Sequence, residues 1–192
     1  MKQKPTIIDF VEHYTSVFPE HVFMREKVDG VWTTTTYKQT REQAFAIGAG
    51  LKCLGMQKGD KVALLSQGRN LWITSELGIL YAGGVNVPLS IKLGESSDLL
   101  FRIKHSDAKY VIVSEQQLPK IRSIISECTN VEQIIVLDPL EQYQEKEISI
   151  EDVIQQGTEY LKNHSAEWKA LYQSIQPDDY ANISYTSGTT AD

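Results

Sequence analysis

Four short apolar runs recur through the middle of the chain: Val62-Ala63-Leu64-Leu65, Val85-Asn86-Val87-Pro88-Leu89, Tyr110-Val111-Ile112-Val113 and Gln133-Ile134-Ile135-Val136-Leu137. The first is continuous, without the alternation of a half-solvated strand, and suits a parallel sheet covered on both faces. Between the runs lie helical stretches. Asn70 is placed to cap one over residues 71–82, where Trp72, Ile73, Leu77 and Leu80 supply apolar surface and Gly83-Gly84 breaks the pattern. Residues 97–106 and 117–127 read as two more. Strand, helix, strand at this spacing is a βαβ unit with a right-handed crossover. Repetition of the unit predicts an open α/β fold, a parallel or mixed sheet flanked by helices. No repeat at the sequence level supports a solenoid.

The flanks fit around that sheet. Ile7, Phe10, Val11, Tyr14 and Phe18 fall at spacings of three and four, the apolar face of a helix that Pro19 ends. Residues 19–36 read as a β-hairpin, Val22 to Val28 against Val31 to Thr36, because Asp29-Gly30 suits the positive φ of a primed turn. Thr36 and Gln39 form a capping box for a second helix with Ala44, Ile47, Leu51 and Leu54 as its buried stripe and Gly55 as its stop. Residues 138–152 are acidic and polar, and read as a solvated excursion rather than a docking surface. Two short helices, 150–156 and 160–172, follow. Residues 176–179 turn into a last strand, Ala181 to Tyr185, with apolar and polar residues alternating.

Composition narrows the function. Nineteen basic against 25 acidic residues leave a net charge of −6, which disfavours nucleic acid or an anionic membrane as partner. No apolar run approaches the length of a membrane span, and the start of the chain lacks a signal-peptide core. The expected location is the cytoplasm, with a peripheral place at a membrane as the alternative. Cys53 and Cys128 lack ligand-like spacing and read as buried thiols of a reducing compartment. His13, His21, His105 and His164 are scattered, without partners at metal-ligand spacing. Trp32, Trp72 and Trp168 read as core or interface packing.

The final strand runs into Thr186-Ser187-Gly188-Thr189-Thr190. Ser/Thr/Gly clusters are commonly plain loops. Here, though, four hydroxyls surround a glycine that lets the backbone approach an anion. Successive N–H groups in such a turn form an anion-binding nest. The string lacks the Gly-Lys-Ser/Thr ending of a Walker A loop. Tyr185 to Thr190 resembles, position by position, the phosphate loop of the adenylate-forming (AMP-binding) superfamily, whose pattern continues Gly-x-Pro-Lys-Gly. Ala191 stands where that family usually has glycine. If the backbone there needs positive φ, alanine costs roughly 1–2 kcal/mol; otherwise it is harmless.

Two further segments widen the resemblance. Thr36-Tyr37 with the Ala44/Ile47/Leu51 helix is similar to the family's first core segment, and Leu80 to Leu89 (Leu-Tyr-Ala-Gly-Gly-Val-Asn-Val-Pro-Leu) to its second. Val-Asn-Val-Pro, and Trp72 after Asn70, lean toward the acyl-CoA synthetase branch, with long-chain fatty acid–CoA ligases nearest. The resemblance implies that residues 1–192 are the N-terminal portion of the adenylation domain of a longer enzyme, a truncated product inactive by itself. It implies ATP and Mg²⁺, with coenzyme A as co-substrate and a fatty acid as the acid activated. Thr186, Ser187, Gly188, Thr189 and Thr190 would hold the β- and γ-phosphates; no residue here is assigned a catalytic role and the metal ligands are unassigned. The rivals are a non-catalytic interaction or regulatory domain that keeps the fold, and a branch acting on amino or aryl acids. Acyl chain length and oligomeric state are not legible. A sheet ending at an unpaired strand edge would invite association.

Overall fold

The computed structural model describes residues 4–94 and 96–186. Helix α1 (Ile7–Val17) leads into a hairpin of β1 (Val22–Val28) and β2 (Val31–Thr36), then α2 (Tyr37–Cys53). The α/β part follows as β3 (Lys61–Leu65), α3 (Asn70–Tyr81), β4 (Val85–Pro88), α4 (Ser96–His105), β5 (Ala108–Val113), α5 (Leu118–Ile124), β6 (Gln133–Val136), β7 (Glu147–Ser149) and α6 (Ile150–Gln173). The five strands from β3 onward make one sheet in the order β4-β3-β5-β6-β7, every neighbour parallel.

Alternation along each strand builds two cores from one sheet. Val62, Leu64, Tyr110, Ile112 and Ile135 face a cluster shared with α2, α3 and α6. Ala63, Leu65, Val111, Val113, Ile134 and Val136 face the opposite cluster, roofed by α4 and α5. This double coverage is why the strands read as unbroken apolar runs. The capping box at Thr36 forms in both directions: Gln39 N–H donates to Thr36 Oγ1 (3.2 Å), and Thr36 N–H to Gln39 Oε1 (2.9 Å).

Helix α2 lies between α3 and α6 at distances only glycine allows. A Cβ on Gly48 would meet the Gly78 carbonyl oxygen at 2.5 Å, and one on Gly50 the Val153 carbonyl oxygen at 2.1 Å. Gly157 on α6 faces the same crossing, where a Cβ would stand 1.8 Å from the Ala46 carbonyl oxygen. Gly157 therefore sits within one helix, not between two. Two helical segments do follow one another along α6, as expected, but they meet at a kink at His164 (φ −127°, ψ 27°) rather than between residues 156 and 160. The bend has a local cause: His164 Nδ1 lies 3.0 Å from the Tyr160 carbonyl, and its ring stacks on Tyr160.

Other expectations need correction. The apolar face proposed for α1 points largely outward: Ile7, Phe10, Tyr14 and Phe18 are exposed, Phe10 by 52%. Ile8, Val11, Glu12 and Thr15 face inward instead, because Glu12 is drawn to Arg41 and Tyr81. Asn70 is the first residue of α3 rather than its cap; its amide nitrogen donates to Thr35 Oγ1 (3.1 Å) and its N–H to Glu26 (3.1 Å), tying the helix to the hairpin. Cys53 is exposed at the end of α2, while Cys128 is buried. Trp168 is buried and Trp72 half-buried, but Trp32 is 66% exposed on the hairpin. The final strand reduces to one bridge, Asn182 beside Asn86 of β4.

The acidic stretch hides a strand. β7 pairs with β6 through Ile134–Glu147, Ile135–Ile148 and Val136–Ser149. A charged residue can lie there because Arg122 of α5 grips the Glu147 carboxylate with two hydrogen bonds of 2.8 Å, leaving it 1% exposed. Arg122, opposed by burial and helped by the Gln144 N–H, holds the Glu147 carboxyl below its usual range. A lowered folded-state value means stability present at neutral pH and lost as pH falls through that value. Glu147→Gln is expected to cost roughly 1–2 kcal/mol at pH 7 in urea unfolding. The gap from wild type should close as the medium is acidified toward pH 3; a gap independent of pH would contradict the assignment.

Candidate functional site

Parallel strands bring all their carboxyl ends, and the loops that follow, to one rim. In open α/β sheets ligands settle outside that rim, at the point where strand order reverses. Here the reversal lies between β3 and β5, since β4 is added on one side of β3 and β5 on the other. The groups at that point pair with one another. The buried Ser114 hydroxyl donates to Gln67 Oε1 (3.0 Å). Arg69 donates to Asp138 Oδ1 (2.7 Å), and Asp138 Oδ2 accepts the Glu115 N–H (2.9 Å). These bonds cross-link the loops after β3, β5 and β6, so this stretch of rim is a fixed wall.

The open part of the rim lies one strand outward, past β4. There the chain returns as an extended segment whose Ala181 carbonyl accepts the Asn86 N–H (2.9 Å) and whose Ile183 N–H donates to the Asn86 carbonyl (2.9 Å). Tyr185 then packs on α4. Its hydroxyl lies 2.9 Å from His105 Nδ1 and 3.2 Å from the Arg102 carbonyl, and the Arg102 guanidinium carbon stands 5.6 Å from its ring centre. Burial pushes the Tyr185 hydroxyl up, against the lowering influence of Ser106 and Arg102. Beside it is a hollow of about 210 Å³ lined by Pro88, Leu89, Ser90, Lys92, Arg102 and Tyr185. Two cations and a hydroxyl around a small hollow suit an anionic group. Arg102 is also tied to its own helix, donating to the Asp98 carbonyl (2.9 Å).

Thr186 is exposed at this rim, directly after the anchored tyrosine. Ser187, Gly188, Thr189 and Thr190 lie outside the described residues, as does Ala191. Lys92 and Arg102 carry no signal in the sequence, and His105 reads there as a residue without partners at metal-ligand spacing. Spacing could not reveal the last: His105 and its partner Tyr185 are 80 residues apart. Another hollow, about 230 Å³ and mainly apolar, lies between α1 and residues 175–181. It touches Gly83 and Gly84, at the amino end of β4, and so sits at the opposite end of the sheet. Among the described residues no cluster of three His, Cys, Asp or Glu side chains could hold a metal ion, and no helix is long and apolar enough to cross a membrane.

Comparison with known proteins places residues 11–192 under the family model described as AMP-binding enzyme. The chain is 28% identical over 184 residues to the long-chain-fatty-acid–CoA ligase FadD15 of Mycobacterium bovis, covering 90% of this chain and 27% of that protein. It is 28% identical over 158 residues to 4-hydroxybutyrate–CoA ligase 2 of Metallosphaera sedula, covering 81% of this chain and 28% of the relative. The chain thus spans roughly a quarter of the length of the curated relatives it matches. Among solved structures, the anthranilate CoA ligase AuaEII in complex with anthranoyl-AMP superposes on the whole chain, with a TM-score of 0.77 at 23% identity over 34% of that protein.

Proposed function

This chain belongs to the AMP-binding enzyme family, and we propose that it supplies the N-terminal, phosphate-holding part of an ATP-dependent acyl-CoA ligase that activates a long-chain fatty acid. The observation that carries the reading is the hydroxyl string beginning at Thr186. It follows a tyrosine fixed to α4, at the open carboxyl rim of a parallel sheet, beside Lys92 and Arg102.

The reaction has two steps. The acid's carboxylate oxygen attacks the α-phosphorus of ATP, the bond to the bridging oxygen breaks, and pyrophosphate leaves. The thiolate of coenzyme A then attacks the acyl carbon and AMP departs. In the first step negative charge gathers on the leaving pyrophosphate, and fixed donors aimed there lower the barrier. Thr186, Ser187, Thr189 and Thr190 supply hydroxyl donors and, with Gly188, backbone N–H donors to the β- and γ-phosphates. Mg²⁺, when bound, shares the phosphate charge. The hollow beside Tyr185, with Lys92 and Arg102 in its lining, fits a polyanion by charge. The setting proposed is the cytoplasm, with the fatty acid drawn from a membrane surface.

The test is carboxylate-dependent ATP–pyrophosphate exchange by the polypeptide of the complete open reading frame, with palmitate, acetate and benzoate in parallel. Exchange dependent on palmitate is expected, and these 192 residues alone should give none. Exchange driven only by acetate or benzoate would overturn the long-chain assignment. No exchange with any acid would overturn the ligase reading in favour of a non-catalytic domain.

A further inference from the structure

Tyr185 is the last side chain before the hydroxyl string, and its hydroxyl makes two contacts to α4. A carbonyl can only accept, so the contact to Arg102 uses the single phenolic hydrogen. The contact to His105 is then a hydrogen bond only if His105 Nδ1 carries a proton and donates it to the phenol oxygen. Both contacts hold at once in that state alone. His105 is itself oriented, its ring stacked on Phe101 with centroids 5.1 Å apart. Backbone bonding offers little competition: among the described residues the segment makes its last hydrogen bond to β4 at Ile183. Beyond that point the side chain of Tyr185 ties the segment to the body of the protein.

We propose that His105 is a positioning residue for the hydroxyl string: its Nδ1–H holds the Tyr185 hydroxyl, and through it sets the place where Thr186 begins. The proposal rests on the reading of residues 186–190 as the phosphate loop. The assignment differs from ring packing in what it demands of a substitute. Asparagine lacks the ring but can present an N–H near the place of Nδ1; phenylalanine keeps the ring and lacks the donor.

Amide hydrogen exchange on the 192-residue chain, without ligand, separates the two at the Ile183 amide, the last of the segment bonded to β4. His105→Asn should exchange within about twofold of wild type. His105→Phe should exchange roughly five- to tenfold faster, the size of one lost hydrogen bond. Tyr185→Phe, which loses the bond to the Arg102 carbonyl as well, should exchange at least as fast. Since His105 is exposed, these variants should fold, and far-ultraviolet circular dichroism serves as the control. Asparagine exchanging as fast as phenylalanine, or phenylalanine as slowly as wild type, would overturn the proposal. Adding Mg-ATP to the polypeptide of the complete open reading frame, and following the peptide covering residues 182–190, tests the underlying reading separately. Protection of the same peptide supports a phosphate loop; its absence sinks that reading, while the ligand-free rates still decide the role of His105 in anchoring the segment.

Discussion

Replacing Gly157 by alanine is expected to cost about 4 kcal/mol or more and to lower the melting temperature by roughly 10–15 °C. Helix propensity alone predicts the opposite, a gain of about 1 kcal/mol for Gly→Ala inside a helix. Sterics decide. The added methyl would stand 1.8 Å from the Ala46 carbonyl oxygen, 2.6 Å from the Gly50 nitrogen and 2.8 Å from the Ala46 carbonyl carbon. All three are backbone atoms of α2, so no rotamer change relieves the clash, and α2 and α6 must part. Parting them opens the core around Trp168 and Val153, both buried. Of a typical domain stability of 5–15 kcal/mol, that is a large share. Gly50→Ala should behave alike, its methyl meeting the Val153 carbonyl oxygen at 2.1 Å, and the pair should be less than additive. Gly68→Ala is the control: a Cβ there meets nothing within 4 Å, and stability should stay within about 0.5 kcal/mol. Thermal and urea unfolding followed by circular dichroism measure all of this. A Gly157→Ala variant within 1 kcal/mol of wild type, on the scale of ordinary substitutions, would show that the helices do not cross so closely.

Glu12→Ala is expected to lower stability by roughly 2 kcal/mol, or about 4–8 °C in melting temperature. One carboxylate gathers donors from three helices. Its Oε1 accepts Arg41 Nε (2.6 Å) and the Tyr81 hydroxyl (2.8 Å); its Oε2 accepts Arg41 Nη2 (2.9 Å) and, at 3.5 Å, the Tyr172 hydroxyl. Removing it strands a guanidinium and the hydroxyl of a fully buried tyrosine. Breaking a buried pair costs 3–5 kcal/mol, but Arg41 and Glu12 are 28% and 27% exposed, so water softens the loss. Burial would lower the Arg41 pKa, yet its bonds to Glu12 outweigh that and raise it. Burial, then Glu12, pushes the Tyr81 hydroxyl up as well. Glu12→Gln keeps an acceptor for Tyr81 while losing the charge, and should cost about half as much. Since Glu12 turns the inner face of α1 toward the body, the amides of residues 7–17 should exchange faster in the alanine variant. Unchanged exchange there, with unchanged melting, would remove Glu12 from the account of how α1 docks.

What could be read from the sequence follows from how local each cause is. The runs at Val62, Tyr110 and Gln133 announced a doubly covered sheet because burial on both faces leaves its mark within five residues. Thr36 with Gln39, and Gly55 at φ 98°, are local signals, and both act where they were expected. The misses have partners far along the chain. β7 is three residues long and begins with a glutamate, so no apolar run marks it; Arg122, 25 residues away, makes it possible. The inner face of α1 was misjudged because Glu12, polar by type, is the residue held inward, by Arg41 and Tyr81. The break expected between residues 156 and 160 falls at His164 instead, because sequence gives no view of α2 pressed against Gly157. Of the site, the hydroxyl string was legible as chemistry. Its anchor was not, because His105 meets Tyr185 only once α4 and the end of the chain lie side by side.

The glycine crossing also sets a timetable for synthesis. Gly50 leaves the ribosome about a hundred residues before Gly157. At roughly 5–20 residues per second, that is a wait of about 5–20 s. Through that interval the small-residue flank of α2 has no α6 to cover it, however well the first strands have paired. The nascent chain therefore carries an open apolar seam for seconds, the kind of surface that chaperones bind and that aggregation exploits, until α6 emerges and closes it.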